Sequence, residues 1–330
     1  MQKPTLYFFT PDLPRILGGI KQIYRHVDVL NANGFDALVV HRKKGFKVSW
    51  FEHNTRVMYE PAPMRKNLDV GVFPEIWGPK INGWGKEIRK VIFNQNAYYT
   101  WMSQPLKGPF NPPYLNPQVM ATIVVSEDNR QFLKCMFPRM PIYRINYSIN
   151  PRLYYPEPKK RQICVMLRKN IEDVKQVLHI LRLHRALEGW KVVLIDKFSE
   201  AQTAAVMRES AIFLNFGSPE GFGLPPAEAM AAGCIVIGYD GHAGREFMDQ
   251  GRADVVPFGD ILRFIQTTRS VIWQWEVNPA KFAARLETAR RSIHEDYSQE
   301  RERESIVGCW NEILAIAQEK QQRTPDAAAA

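Results

Sequence analysis

The chain has 330 residues, of which 45% are apolar and 24% charged, and a net charge of +10. The apolar share excludes a disordered chain, and the length exceeds what one hydrophobic core usually serves, so two domains are expected. No apolar run reaches the roughly 18–20 residues of a membrane span. The opening Met1-Gln2-Lys3-Pro4 leads into a short apolar stretch and then Pro11-Asp12, which does not read as a signal peptide. A cytoplasmic location is the default expectation.

The basic balance leaves three partner classes: nucleic acid, an anionic membrane surface or a phosphorylated ligand. Lysines and arginines are scattered and not interleaved with aromatics, so nucleic acid is not expected. The densest groups, Arg42-Lys43-Lys44 and Lys159-Lys160-Arg161, are short. They read as solvated loops, with peripheral contact to an anionic membrane as the alternative. The four cysteines, Cys135, Cys164, Cys234 and Cys309, form no CxxC pair, and buried free thiols are the ordinary reading for three of them.

Short β-type runs alternate with amphipathic helical stretches in two series, the pattern of parallel α/β sheets. The first series opens with a strand at 6–9, ended by Pro11. A loop ending in Gly18-Gly19 leads to a helix over 20–33, with Ile23, Val27 and Leu30 at helical spacing and Gly34 as its stop. Strands are expected at 37–40, 68–73, 91–93 and 122–125, then a helix at 127–137 and a closing strand at 141–145. Residues 150–161, with three prolines and a charge run, are the best linker candidate. The second series runs strand 163–167, helix 171–187, strand 192–195, a helix opened by a Ser199/Gln202 capping box, then strands 211–216 and 235–237. The tail from Phe258 is mostly helical. Its last helix carries Ile306, Trp310, Ile313, Leu314 and Ala317 on one face, and the final alanines read as unstructured or foreign to the fold.

Between the strands at 211–216 and 235–237 the chain reads Ser218-Pro219-Glu220-Gly221-Phe222-Gly223-Leu224-Pro225-Pro226-Ala227-Glu228-Ala229-Met230-Ala231-Ala232-Gly233. Pro225 and Pro226 suit the first turn of a helix, where a missing N–H costs little, and Gly233 suits its stop. The helix is expected over 225–232. A helix N-terminus attracts phosphate through free N–H groups and a partial positive charge. Prolines cannot donate, so the useful amides are those of Phe222, Gly223 and Leu224, with Ala227 behind them. Gly221 and Gly223 would let the backbone come close to an anion. Glu220 falls in the loop and Glu228 in the first turn, so they do not share a face. A first-turn carboxylate either complements the helix dipole or accepts both hydrogens of a ribose diol.

Glu220 and Glu228, with seven residues between them, resemble the EX7E motif of the retaining glycosyl transferases group 1 family. The likeness extends through Gly221-Phe222-Gly223-Leu224-Pro225, Glu228-Ala229-Met230-Ala231 and Gly233. It continues into Gly241-His242-Ala243-Gly244-Arg245-Glu246, which is similar to that family's glycine-rich donor loop. Gly18-Gly19 also sits where the family has a glycine loop. The detailed likeness spans about residues 168–246, and a looser one covers nearly the whole chain.

The resemblance implies an α/β GT-B fold, with two Rossmann-like domains facing across a cleft. It divides the chain into an acceptor domain at 1–149 and a nucleotide-sugar donor domain at 150–302, with a C-terminal helix at about 303–320 packing back on the first. It also implies a hexosyl- or related transferase acting with retention. Glu228 would hold the nucleotide ribose, the amides of Gly223 and Leu224 the diphosphate, and Glu220 would face the transferred sugar as the catalytic carboxylate. Arg168 and Lys169 fall where the family keeps basic diphosphate ligands. They are adjacent where the family spaces them further apart, and Arg168 is the one expected to face the ligand. Gly18, Gly19, Gly221 and Phe222 complete the donor-side set.

No Asp-x-Asp sequence is present, so neither a metal nor another cofactor is expected, and fixed positive charge would replace a metal clamp. Where many relatives carry an acceptor-side histidine, this chain has Phe93-Asn94-Gln95-Asn96. Asn94, Gln95 and Asn96 either bond acceptor hydroxyls or form a polar turn. His242 is the best placed of the histidines for the acceptor side. Trp77, Trp84 and Trp101 read as core packing ahead of an acceptor groove. The expected partners are a nucleotide-sugar and a glycan, lipid-linked or small-molecule acceptor. The alternative is an inactive nucleotide-sugar-binding or scaffold protein of the same fold.

Overall fold

The computed structural model describes residues 2–14, 16–85, 87–249 and 251–323; the final alanines lie outside them. The chain divides into two compact units, one of Met1–Tyr147 with Glu300–Ala330 and the other of Ser148–Gln299. The first runs β1 (Thr5–Phe9), α1 (Gly18–Ala32), β2 (Asp36–His41), β3 (Val57–Tyr59), β4 (Val70–Pro74), β5 (Arg89–Asn94), β6 (Val119–Val124), α2 (Glu127–Met136) and β7 (Ile142–Arg144). Its sheet has the order β3-β2-β1-β4-β5-β6-β7, with every pair parallel.

Every residue of β1, β4 and β6 is buried. That is why these strands read as nearly unbroken apolar runs and not as alternations. β3 escaped the sequence because it is three half-buried residues at the sheet edge, too short for any periodicity. α1 buries Ile20, Ile23, Val27 and Leu30, and Gly34 beyond it has φ +82°, the left-handed stop that glycine supplies. The helix begins at Gly18. Gly18 and Gly19 are therefore its first turn and not the end of a loop, a correction to the expected boundary. Trp77, Trp84 and Trp101 pack on this unit's core, beside Phe9, Phe73 and Phe137.

The second unit runs β8 (Lys160–Met166), α3 (Ile171–Leu183), β9 (Lys191–Ile195), α4 (Glu200–Glu209), β10 (Ser210–Asn215), α5 (Leu224–Ala231), β11 (Ile235–Gly238), β12 (Asp254–Val255), α6 (Ile261–Val277) and α7 (Ala283–Asp296). Its strands have the order β12-β11-β10-β8-β9 and are all parallel. Both bonds of the Ser199/Gln202 capping box are present. Just past β10, Phe216 stacks on Phe264 at 4.4 Å inside the core. Residues 150–161 are no free tether, since Tyr154 is buried at 2% exposure and β8 already begins at Lys160.

The long helix α8 (Gln299–Arg323) returns to the first unit. Trp310 is fully buried, packs on Phe8 and donates from Nε1 to His26 Nε2 at 2.7 Å. Burial holds that imidazole neutral, its pKa pushed down to about 3. Arg25 pairs with Glu302 at 2.6 Å. In both units the loops leaving the carboxyl ends of parallel strands form the edge where open α/β sheets bind ligands.

Candidate functional site

In the second unit the ends of β10 and β11 are clamped together. Asn215 Nδ2 donates to the Tyr239 carbonyl at 2.6 Å, and the Tyr239 amide donates to the Asn215 carbonyl at 2.9 Å. Beyond the clamp, the Glu220 amide donates to the Gly241 carbonyl at 2.8 Å, forming an isolated parallel bridge between Glu220 and His242. Gly241 has φ +63°, and a Cβ there would lie 2.7 Å from the Gly217 carbonyl and 3.0 Å from Glu220 Cβ. Only glycine allows that approach. The Glu220 loop and the 241–246 loop are thus one packed object.

The turn before α3 supports it. Asn170 is left-handed, with φ 50°, and its Nδ2 donates to the Phe216 and Ser218 carbonyls at 2.7 and 3.1 Å. Lys169 Nζ donates to the Pro219 carbonyl and lies 3.1 Å from Glu220 Oε1, with both side chains about three-quarters covered. Arg168 is exposed and among the described residues its side chain bonds to nothing. Lys169 is thus held on the Glu220 loop, while Arg168, the one expected to face the ligand, is left exposed.

α5 opens from Gly223, a left-handed N-cap with φ 93°, and continues through Leu224 and the two prolines. Among the described residues, the amides of Gly223 and Leu224 have no acceptor within the chain, while the Ala227 amide is taken by the Gly223 carbonyl at 3.4 Å. Ala227 therefore drops out of the expected cradle. Gly221 is buried in the turn. The Phe222 ring is anchored against Phe247 and Tyr297 at 5.4 and 4.9 Å.

Glu228 also needs a correction. α5 has no acidic residue in its first turn; Glu228 is one position further in, which removes its reading as a dipole partner. It is 8% exposed, and its charge lies near the buried Tyr154 phenol, whose pKa burial and that charge raise. Sequence reasoning missed Tyr154 because the surrounding prolines read as a linker. The apolar run Leu153-Tyr154-Tyr155 was the available signal.

His242 sits in a strained turn, φ 73° and ψ −61°, a backbone state that costs a non-glycine residue about 1–3 kcal/mol. Its amide donates to Asp240 Oδ1 at 2.9 Å. Arg245 donates to Asp240 Oδ2 at 2.9 Å and to His242 Nδ1 at 3.1 Å. Arginine only donates, so Nδ1 accepts and the ring proton lies on Nε2. The bridge to Glu220 ties His242 to the Glu220 loop within the second unit.

In the first unit the amide side chains serve the fold. Asn94 is wholly buried, and its Nδ2 donates to Thr100 Oγ1 and the Tyr114 hydroxyl at 3.0 and 2.7 Å. Asn96 Oδ1 accepts from the Tyr98 amide at 3.2 Å and caps the short turn Ala97–Tyr99. Gln95 donates to the Gly19 carbonyl at 3.1 Å and accepts from the Tyr147 hydroxyl at 2.8 Å. Gly19 lies so close that a Cβ would come within 3.2 Å of Gln95 Oε1. This geometry favours the polar-turn reading of residues 94–96. Beside them is a residue the sequence did not single out, Glu75, which accepts from the Asn96 amide at 3.1 Å and whose carboxyl burial pushes up to about 7.

Among the described residues no group of three or more His, Cys, Asp or Glu is placed to hold a metal ion, and no helix is long and apolar enough to cross a membrane. All four cysteines are free, and Cys135 is the exposed one.

No protein-family model matches the chain. The alpha-1,6-glucosyltransferase of Actinobacillus pleuropneumoniae serotype 7 (strain AP76) is 28% identical over 217 residues, 63% of this chain and 63% of that protein. The match thus spans less than two thirds of the relative's length. Sucrose-phosphate synthase from Thermosynechococcus elongatus superposes with a TM-score of 0.69 at 12% identity, covering 95% of this chain and 100% of the other. An Anabaena protein solved in complex with UDP and glucose superposes with a TM-score of 0.63 at 13% identity, covering 98% of this chain and 100% of the other. At these identities the likeness shows the fold. The chain has the GT-B architecture: two parallel-sheet lobes, each flanked by helices, and a long C-terminal helix.

Proposed function

We propose that the chain is a metal-independent retaining glycosyltransferase that moves a sugar, a hexose or a related one, from a nucleotide-sugar to a glycan, lipid-linked or small-molecule acceptor. The observation that carries this reading is the packed junction at the start of α5. There the Lys169–Glu220 pair, the strained His242 and the unbonded amides of Gly223 and Leu224 belong to one unit. Those amides, Lys169 and Arg168 would meet the charge that develops on the departing diphosphate, and preorganised charge is usually the largest catalytic contribution. Glu220 would hold the transferred sugar, Glu228 would accept the ribose hydroxyls, and retention follows from the EX7E resemblance. The first unit, with Gly18 and Gly19, would serve the acceptor and complete the donor contacts. The names of the glucosyltransferase relative and of the UDP-and-glucose complex support UDP-glucose as the first donor to try.

Met102, Leu106, Phe110 and Leu115 are large exposed side chains of the first unit, in a stretch, 88–126, that contains no acidic residue. That composition supports peripheral contact with anionic lipid, and sedimentation with anionic vesicles checks it.

The deciding experiment is a thermal-shift screen against UDP, GDP, ADP and dTDP, then their sugars, followed by transfer assays with EDTA present. At least one nucleotide should raise the Tm, and Glu228→Ala should weaken its binding by about 1.5–3 kcal/mol. No shift with any nucleotide overturns the proposal. Binding without transfer to any acceptor favours the inactive binding protein, and a rate abolished by EDTA overturns metal independence.

A further inference from the structure

Tyr297, the C-cap of α7, touches both loops of the candidate site from within the second unit. Its ring packs edge-on against Phe222 at 4.9 Å and against Phe247 at 5.7 Å, and those two rings lie 5.4 Å apart. Edge-on and tilted contacts are the favoured aromatic geometry, and all three rings are buried. The phenol donates to Glu246 Oε2 at 3.3 Å. Phe222 belongs to the Glu220 loop, while Glu246 closes the 241–246 loop with Phe247 next to it. One side chain therefore holds both loops. Tyr297 is itself fixed from two sides, its amide donating to the Ile293 carbonyl at 2.9 Å and its carbonyl accepting from the Ile149 amide at 2.9 Å.

The ring cluster seats the backbone at the opening of α5. Gly223 follows Phe222 with φ +93°, and a Cβ there would lie 3.6 Å from Phe247 Cζ and 3.4 Å from Pro226 Cγ. Among the described residues no acceptor within the chain holds the Gly223 and Leu224 amides, so their direction depends on how the adjoining rings pack. Amides aimed at an anion act best when already fixed, because nothing need reorganise on binding. Removing a ring from a buried cluster leaves a void into which its neighbours shift.

We infer that Tyr297 is a positioning residue for the phosphate cradle: its ring, through Phe222 and Phe247, fixes the direction of the Gly223 and Leu224 amides. It thereby sets how strongly the site prefers a nucleoside diphosphate to the bare nucleoside. The inference rests on the reading of those amides as the diphosphate ligands.

The test is titration calorimetry on the full chain with the nucleoside diphosphate that the thermal screen selects and with its parent nucleoside. The ratio of the two dissociation constants is measured on one preparation, so an unfolded fraction does not alter it. Tyr297→Leu should lower the preference for the diphosphate about tenfold and leave the nucleoside within about twofold. Tyr297→Phe keeps the ring and drops only the bond to Glu246, so it should retain the wild-type ratio within about twofold. Phe222→Leu leaves every backbone amide in the chain and should lower the ratio as Tyr297→Leu does. The double variant should lower it no further, as expected of residues acting through one another. If either leucine variant keeps the wild-type ratio, if Tyr297→Phe loses it, or if the two losses add, the inference falls and the cradle reading stands. If the wild type binds the nucleoside as tightly as the diphosphate, the cradle reading falls, and this inference falls with it.

Discussion

At the ends of β4 and β5, the polar side chains of the first unit turn into their own fold. Asn94 bonds Thr100 and Tyr114, and Glu75 holds an Asn96 amide. After β8, β10 and β11 of the second unit, the backbone itself is arranged. Loops are pressed together at Gly241, a left-handed glycine opens α5, and the Gly223 and Leu224 amides stay unspent. Both edges stand where parallel sheets bind ligands, yet one turns its amide donors into the core and the other leaves backbone amides unbonded. A run of amide side chains at a strand end is thus weak evidence of a binding site, because burial settles whether those amides are available.

The largest effect should come from the second unit. Glu220→Gln is expected to lower transfer about 10²-fold while nucleotide affinity changes less than about twofold; equal turnover would remove the functional half of the contrast. Gly241→Ala should cost about 2–3 kcal/mol in urea unfolding, because a side chain there meets both a left-handed backbone and the Gly217 carbonyl.

In the first unit Asn94→Ala should cost about 1–3 kcal/mol of stability, since it strips bonds from a buried site, and nucleotide affinity should not move. A raised KM for acceptor without lost stability would return Asn94 to the acceptor side. A pH-dependent effect concerns Glu75, whose carboxyl is raised from 4.5 to about 7 by burial. Between those values the folded chain holds a proton that the unfolded chain has lost. Its contribution is therefore full below the lower value and fades as pH rises through the upper one. Glu75→Gln should gain on the wild type between about pH 5 and pH 8, read as urea midpoints. A constant difference would mean that the carboxyl is not buried.

Local features were legible in the residues alone. The two α/β series, the Gly34 stop, the Ser199/Gln202 box and the span of the motif helix depend on neighbours a few positions away, and spacing records such neighbours. Only the tertiary structure could decide that Lys169 and not Arg168 meets Glu220, that Ala227 is already bonded, and that Asn94 is a core residue. It also turned an expected proline-rich linker into a stretch packed on the ends of α4 and α5, with Tyr154 buried. These are contacts between residues remote in the chain, selected by burial and backbone direction, and hydrophobic periodicity carries no information about which distant partner a polar group will find.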